Sequence, residues 1–169
     1  MVPVTVVRTY LDLPPHVRYD RTAPPSGAAW RELPKTSWRQ VRDLYALVGA
    51  DYHWVDRNAW SDEAWATHVQ SPGVRAFVLE VAGRDAGYVE LARTGEEVEI
   101  AYFGLASFAH GRGLGRWLLE QAIAEAQAWH ATRVWLHTCT LDAAAALPNY
   151  LARGFVVTRR ETYTVQVPA

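Results

Sequence analysis

The chain has 169 residues, enough for one well-buried core and too few for two ordinary domains. Hydrophobic residues make up 50% and charged residues 21%, with a formal net charge of -1, which fits a globular protein and gives no electrostatic case for nucleic acid as a partner. Cys139 is the only cysteine, so an internal disulfide is excluded, and no apolar run approaches the ~18 residues of a membrane span.

Residues 4–13 open β-branched and alternate loosely, the pattern of a strand. The opening MVPVTVV is broken by Arg8 and lacks the basic lead of a signal peptide, so the expected compartment is the cytoplasm. Residues 14–26, PPHVRYDRTAPPS, are proline-rich and polar and read as an ordered connector, followed by a second strand over 28–33. Ser37-Trp38-Arg39-Gln40 has the capping-box pattern, and Trp38, Val41, Tyr45 and Val48 then share one helical face. The loop 50–59, ADYHWVDRNA, is rich in aromatic and charged side chains. Ser61 reads as the N-cap of a second helix, with Trp60 and Trp65 placed for a hydrophobic staple.

Residues 74–81 and 85–92 read as strands joined by Ala82-Gly83-Arg84, and Thr94-Gly95-Glu96 turns the chain into a third, giving an antiparallel meander. Residues 98–120, VEIAYFGLASFAHGRGLGRWLLE, carry the most information. Val98, Ile100 and Tyr102 alternate with Glu99, Ala101 and Phe103 at a period of two. Gly104 interrupts the strand, a place where a bulge is expected. The turn His110-Gly111-Arg112-Gly113-Leu114-Gly115 then leads into a helix running to about residue 130. Residues 133–138 read as a strand, and the strand–helix–strand crossover makes it a parallel partner of the strand at Val98. Asp142 is placed to cap the next helix, Pro148 either kinks that helix or stands in the first turn of a restart, and 155–167 form a last strand that could pair with a second copy in a homodimer. This order of elements gives an α/β mixed sheet.

The glycine turn has a physical use. Without Cβ atoms, successive backbone N–H groups can point into one concavity, and the following helix adds its unpaired N–H groups and the positive end of its dipole. Such a corner seats a phosphate, with Arg112 and Arg116 at its rim. It lacks the Gly-Lys-Ser/Thr ending of a P-loop and fits G-x-G-x-x-G poorly, so alone it is equally a tight turn without a ligand.

The stretch resembles motif A of the GNAT N-acetyltransferase superfamily, Gln/Arg-x-x-Gly-x-Gly/Ala: His110 stands in the Gln/Arg place, and Gly113 and Gly115 match. Residues 146–155, ALPNYLARGF, resemble the family's closing motif, in which a tyrosine precedes Gly-Phe by four residues; Tyr150 and Gly154-Phe155 fit. The resemblance implies a single domain over 1–169 with a mostly antiparallel sheet flanked by helices and a splayed central parallel pair. It implies acetyl-CoA as donor, seated on His110, Gly111, Arg112, Gly113, Leu114, Gly115 and Arg116, with its pantetheine arm along Phe103, Gly104 and Leu105. The Leu105 amide would face the thioester carbonyl. Relatives often carry an asparagine seven residues before the tyrosine; here that place holds Ala143, with Asp142 beside it as the cofactor contact.

Glu99 lies in a strand between apolar residues, where partial burial raises a carboxyl toward the range of a general base. It stands eleven residues before His110 (110 − 99), which resembles the offset of the catalytic glutamate in the histone-acetylating branch. The alternatives are a solvated glutamate on the open face, or one paired with an arginine such as Arg133. Tyr150 is the candidate general acid, since a phenol of pKa ~10 is loaded at neutral pH. Tyr45, Tyr52, Trp54 and Arg57 are candidates for the acceptor wall, one that would suit an apolar amine carrying a carboxylate. Cys139 with His137 as base could form an acyl-cysteine, but a lone cysteine is more often a small buried residue. The six histidines show no metal-binding spacing, so no metal is expected. The reading is an acetyl-CoA-dependent N-acetyltransferase acting on a primary amine; the alternatives are an acyl-CoA-binding sensor or scaffold of the same fold, and an ATP-binding protein.

Overall fold

A computed structural model describes all residues, Met1–Ala169. Seven strands form one sheet: β1 (Val2–Leu13), β2 (Ala28–Glu32), β3 (Val74–Val81), β4 (Arg84–Thr94), β5 (Glu97–Leu105), β6 (Arg133–Cys139) and β7 (Val156–Val167). Helices α1 (Trp38–Gly49) and α2 (Asp62–Gln70) separate β2 from β3, α3 (Leu114–Ala128) joins β5 to β6, and α4 (Ala146–Ala152) precedes β7. The order across the sheet is β2-β3-β4-β5-β6-β1-β7. Every neighbouring pair is antiparallel except β5–β6. No helix is long and apolar enough to cross a membrane.

The period-two patterns sort the core onto two faces. Phe77 and Leu79 of β3 and Val89 and Leu91 of β4 pack with Leu118, Leu119, Ala122 and Ile123 of α3. Their alternates Ala76, Val78 and Tyr88 pack with Val41, Leu44 and Val48 of α1 and Trp65 and Val69 of α2. At ~1.5–3 kcal/mol per fully buried apolar side chain, these faces supply the main driving force for the fold.

β1 is the strand whose place the sequence left open. It runs between β6 and β7, with Arg8 opposite both Cys139 and Glu161. The proline-rich connector is ordered, as expected, because α3 offers it polar partners. Tyr19 N–H donates to Gln127 Oε1 at 3.1 Å, Thr22 N–H to Gln121 Oε1 at 3.1 Å, and Arg21 bonds Glu125 through Nε at 2.7 Å and Nη2 at 3.0 Å. Gln121 and Glu125 are buried for this reason.

Four local expectations need correction or completion. Ser37 stands at the N-cap position of α1 but makes no capping bond; its hydroxyl donates to Pro34 O instead. Asp142 does not cap α4, which begins at Ala146. Its carboxylate closes a turn after β6 by accepting Cys139 N–H at 2.9 Å and the Thr138 hydroxyl. The ladder shift in β5 falls at Ala101, since Glu90 faces Tyr102 while Leu91 faces Ile100; Gly104 stays in register with Tyr88. Pro148 stands in the first turn of α4, which neither kinks nor continues an earlier helix. The second helix matches its expected start: Ser61 Oγ accepts Ala64 N–H at 3.1 Å, and the Trp60 and Trp65 rings lie 5.0 Å apart.

Candidate active site

The site grows from the way β5 and β6 part. Their parallel ladder has only three rungs, Glu97–Arg133, Val98–Val134 and Glu99–Trp135. Beyond them β5 continues to Leu105 and β6 to Cys139 without pairing. On its other side β5 stays bonded to β4. Ala106 N–H donates to Ala86 O at 2.7 Å, and Gly87 faces Leu105. Bonded and non-bonded positions alternate along an antiparallel pair. Phe103 and Leu105 therefore turn their main-chain groups away from β4, toward the gap.

Gly104 explains how a loop reaches this strand end. A Cβ there would lie 2.7 Å from the Tyr52 ring and 2.8 Å from Val48 Cγ1. Tyr52 packs against the bare glycine, donates its O–H to Leu105 O at 3.2 Å, and lies 2.9 Å from His110 Nε2, which is itself 2.9 Å from Leu105 O. His110 thus ties the glycine turn to the end of β5. Gly104→Ala should overpack this contact and lower stability by about 1–3 kcal/mol, measured by denaturant unfolding; an unchanged midpoint would show that Tyr52 is not held there.

At the head of α3, Gly111 and Gly113 have φ of 74° and 73°, the left-handed region that favours glycine. Side chains added there would meet nothing within 4 Å, so the corner is open on its outer side. Asn149 Nδ2 donates to Gly115 O at 3.2 Å and fixes α4 against this corner.

A cavity of about 820 Å³ runs from the glycine corner through the gap to the loop between α1 and α2. The corner residues Gly111, Gly113, Leu114, Gly115 and Arg116 line one end, with Asp142 and Asn149. Phe103, Gly104, Leu105, His110, Cys139 and Tyr150 line the middle, and Tyr52, Trp54, Arg57, Glu99 and His137 the far end. Two expected residues stand apart. Arg112 does not line the cavity. Tyr45 is core: it is 2% exposed, and its hydroxyl accepts Arg57 N–H at 3.1 Å.

Glu99 is half-buried and free of Arg133, which pairs with Asp12 and Glu97. Burial raises its carboxyl, the Glu90 charge raises it further, and Arg57 opposes both. Its nearest basic group is His137 Nε2 at 3.8 Å. Burial lowers that imidazole, and the Arg8 charge lowers it more, favouring the neutral form. Tyr150 is 6% exposed, between Phe103 and Phe155, and burial pushes its phenol well up, with Asp142 and Tyr52 adding to the shift. Burial and then Asp142 raise the Cys139 thiol, the opposite of what an activated nucleophile needs. No group of three or more His, Cys, Asp or Glu side chains is gathered for a metal ion.

Glu90 is the residue that sequence reasoning missed. It is fully buried, bonded by Arg57 Nη1 at 2.7 Å and Nη2 at 2.6 Å, by the Tyr88 hydroxyl at 2.6 Å, and lies 3.0 Å from His68 Nε2. Its one sequence signal is a charge at the same strand parity as Tyr88, on an inward face.

A model of the acetyltransferase (GNAT) family matches residues 29–155. The chain belongs to that family. Solved structures show the same fold at low identity. A GCN5-related N-acetyltransferase from Kribbella flavida is 18% identical over 96% of this chain, with a TM-score of 0.67, and this chain spans only 58% of its length. An aminoglycoside acetyltransferase from an uncultured soil metagenomic sample is 12% identical, with 76% of this chain and 88% of that one covered and a TM-score of 0.66. An IAA acetyltransferase from Bacillus cereus is 22% identical, with 78% and 79% covered and a TM-score of 0.60. Within this GNAT chain, the matched region takes in the split strands, the glycine corner and Tyr150, while β1 and β7 lie outside it.

Proposed function

We propose that this protein transfers the acetyl group of acetyl-CoA to a primary amine, by direct attack in a ternary complex. The observation that carries the proposal is the early end of the β5–β6 ladder, inside a cavity joining a main-chain anion seat to a half-buried glutamate. The diphosphate rests on the N–H groups at the head of α3. The pantetheine arm lies in the gap and bonds to the main chain of Phe103 and to Leu105 N–H, since Leu105 O is already taken by Tyr52 and His110. The thioester carbonyl then sits near Leu105 N–H and the acetyl group points toward Glu99.

Each proton has a place to go. Glu99, directly or through a water, takes a proton from the acceptor ammonium, and the freed nitrogen attacks the thioester carbon. Leu105 N–H stabilises the oxyanion as the C–N bond forms. The intermediate collapses with loss of the C–S bond; Tyr150 passes its proton to the departing thiolate and is reprotonated by the second proton that the acylated nitrogen sheds, while Glu99 returns its own proton to solvent. A buried phenol with a raised pKa stays protonated across the working pH range, so the donor is always loaded.

The test is amine-dependent release of CoA from acetyl-CoA across a panel of primary amines. Release is expected; acetyl-CoA binding without release would make the protein a sensor or scaffold instead. Glu99→Gln should slow turnover most between the raised Glu99 pKa and the amine pKa, where the wild-type base is ionised and the free amine is scarce. The deficit should narrow at higher pH, where solvent supplies free amine. A deficit independent of pH would remove Glu99 from the role of base.

A further inference from the structure

The acceptor end of the cavity has a charge balance that its residue types hide. Arg8 and Arg57 line it, and both are already ion-paired, Arg8 keeping one buried nitrogen, Nε, without a hydrogen-bond partner. Arg57 gives both terminal nitrogens to Glu90 and stacks against the rings of Trp60 and Tyr102, 4.6 and 4.4 Å from their centroids. Arg8 donates through Nη1 to Glu161 at 3.1 Å and through Nη2 to the Tyr163 hydroxyl at 3.3 Å. The carboxylate-bearing acceptor expected from Arg57 therefore finds no unpaired cation there.

The charges left without a strong partner are acidic. Glu99 has one basic group within ion-pair distance, His137 at 3.8 Å. Asp56 is exposed, lines the same cavity, and has a single long contact, from the Tyr102 hydroxyl at 3.5 Å. Asp56 is also held in place. The next residue, Arg57, is anchored through its side chain to Glu90 and through its N–H to Tyr45, so the carboxylate is carried by a pinned segment. The Trp54 and Tyr102 rings, 4.8 Å apart and edge-on, add an aromatic surface to this end of the cavity. A carboxylate beside aromatic rings suits an ammonium group.

Building on the acetyltransfer reading above, we propose that the acceptor carries at least two amino groups. One reacts at Glu99 while a second, still an ammonium, is held by Asp56 beside Trp54 and Tyr102. Asp56 is then the residue that sets specificity, and an acceptor bearing a carboxylate in place of the second amine is disfavoured by charge.

Three acceptors of matched length test this with the full chain: cadaverine, pentylamine and δ-aminovalerate. The KM for cadaverine should lie about fivefold below that for pentylamine, with δ-aminovalerate poorest. Asp56→Asn should bring the cadaverine-to-pentylamine ratio close to one, and Asp56→Lys should move the preference toward δ-aminovalerate, with both variants unfolding at the wild-type temperature. Equal KM values for the two amines in the wild type, or a ratio unmoved by either variant, would overturn the second-ammonium site and leave acetyltransfer standing. No CoA release with any of the three would overturn the acetyltransfer reading and this inference with it.

Discussion

Glu90→Ala should destabilise the protein by about 3–5 kcal/mol, because it leaves the buried Arg57 guanidinium without its counter-charge. For a chain of this size that is a fall in Tm of roughly 6–20 °C by thermal unfolding. The loss arises from desolvation. Arg57 is 8% exposed, and both its terminal nitrogens point at one carboxylate. Replacing the whole pair, Glu90→Leu with Arg57→Met, should recover most of the stability, since no orphaned charge remains. A loss below about 1 kcal/mol in the single variant would mean that water reaches the pair.

The same group predicts an acid limb. Burial alone would raise the Glu90 carboxyl, but hydrogen bonds from Arg57 and His68 outweigh it and hold the pKa down at about 2, against an ordinary value of 4.5. Because the folded value is depressed, its stabilising contribution is complete above about 4.5 and is lost as the pH falls toward 2. The Glu90→Leu, Arg57→Met variant should lack this part of the acid transition.

Tyr150→Phe should lower kcat by about 10²-fold or more while leaving acetyl-CoA affinity unchanged. The substitution removes one oxygen from a ring already packed between Phe103 and Phe155, so the ring contacts that hold it remain. A hydroxyl that acts only as the thiolate leaves should lower kcat and kcat/KM equally, the signature of an interaction made in the transition state. Calorimetry with acetyl-CoA and steady-state release of CoA separate the two quantities. Full turnover in the phenylalanine variant would assign the departing thiolate a different proton source.

Much of the site was legible because its parts are local. The glycine turn needs two left-handed residues just before a helix, and Gly111 and Gly113 announce that within three letters. Glu99 is legible as half-buried because Val98 and Ile100 flank it at strand period, and of its charged neighbours in space Glu90 adds to the effect of burial while Arg57 opposes it. The polar, aromatic loop around Arg57 makes it look available for a ligand. Its partner, Glu90, is thirty-three positions away on β4, and a pair so distant leaves no pattern in either segment. Tyr45 misled for the opposite reason: its helical spacing shows that it faces inward, but not whether inward is cavity or core.

The sequence by itself determined the main strands and helices, the parallel join of β5 to β6 and the glycine turn at the head of α3, because periodicity, caps and glycines act over a few residues. Only the tertiary structure decided where the N-terminal strand goes, that Ala101 carries the bulge, and that Arg8 and Arg57 are ion-paired at the far end of the cavity. Those outcomes depend on which distant segments share a face, and the free energy of such pairing belongs to the contact and to neither stretch alone.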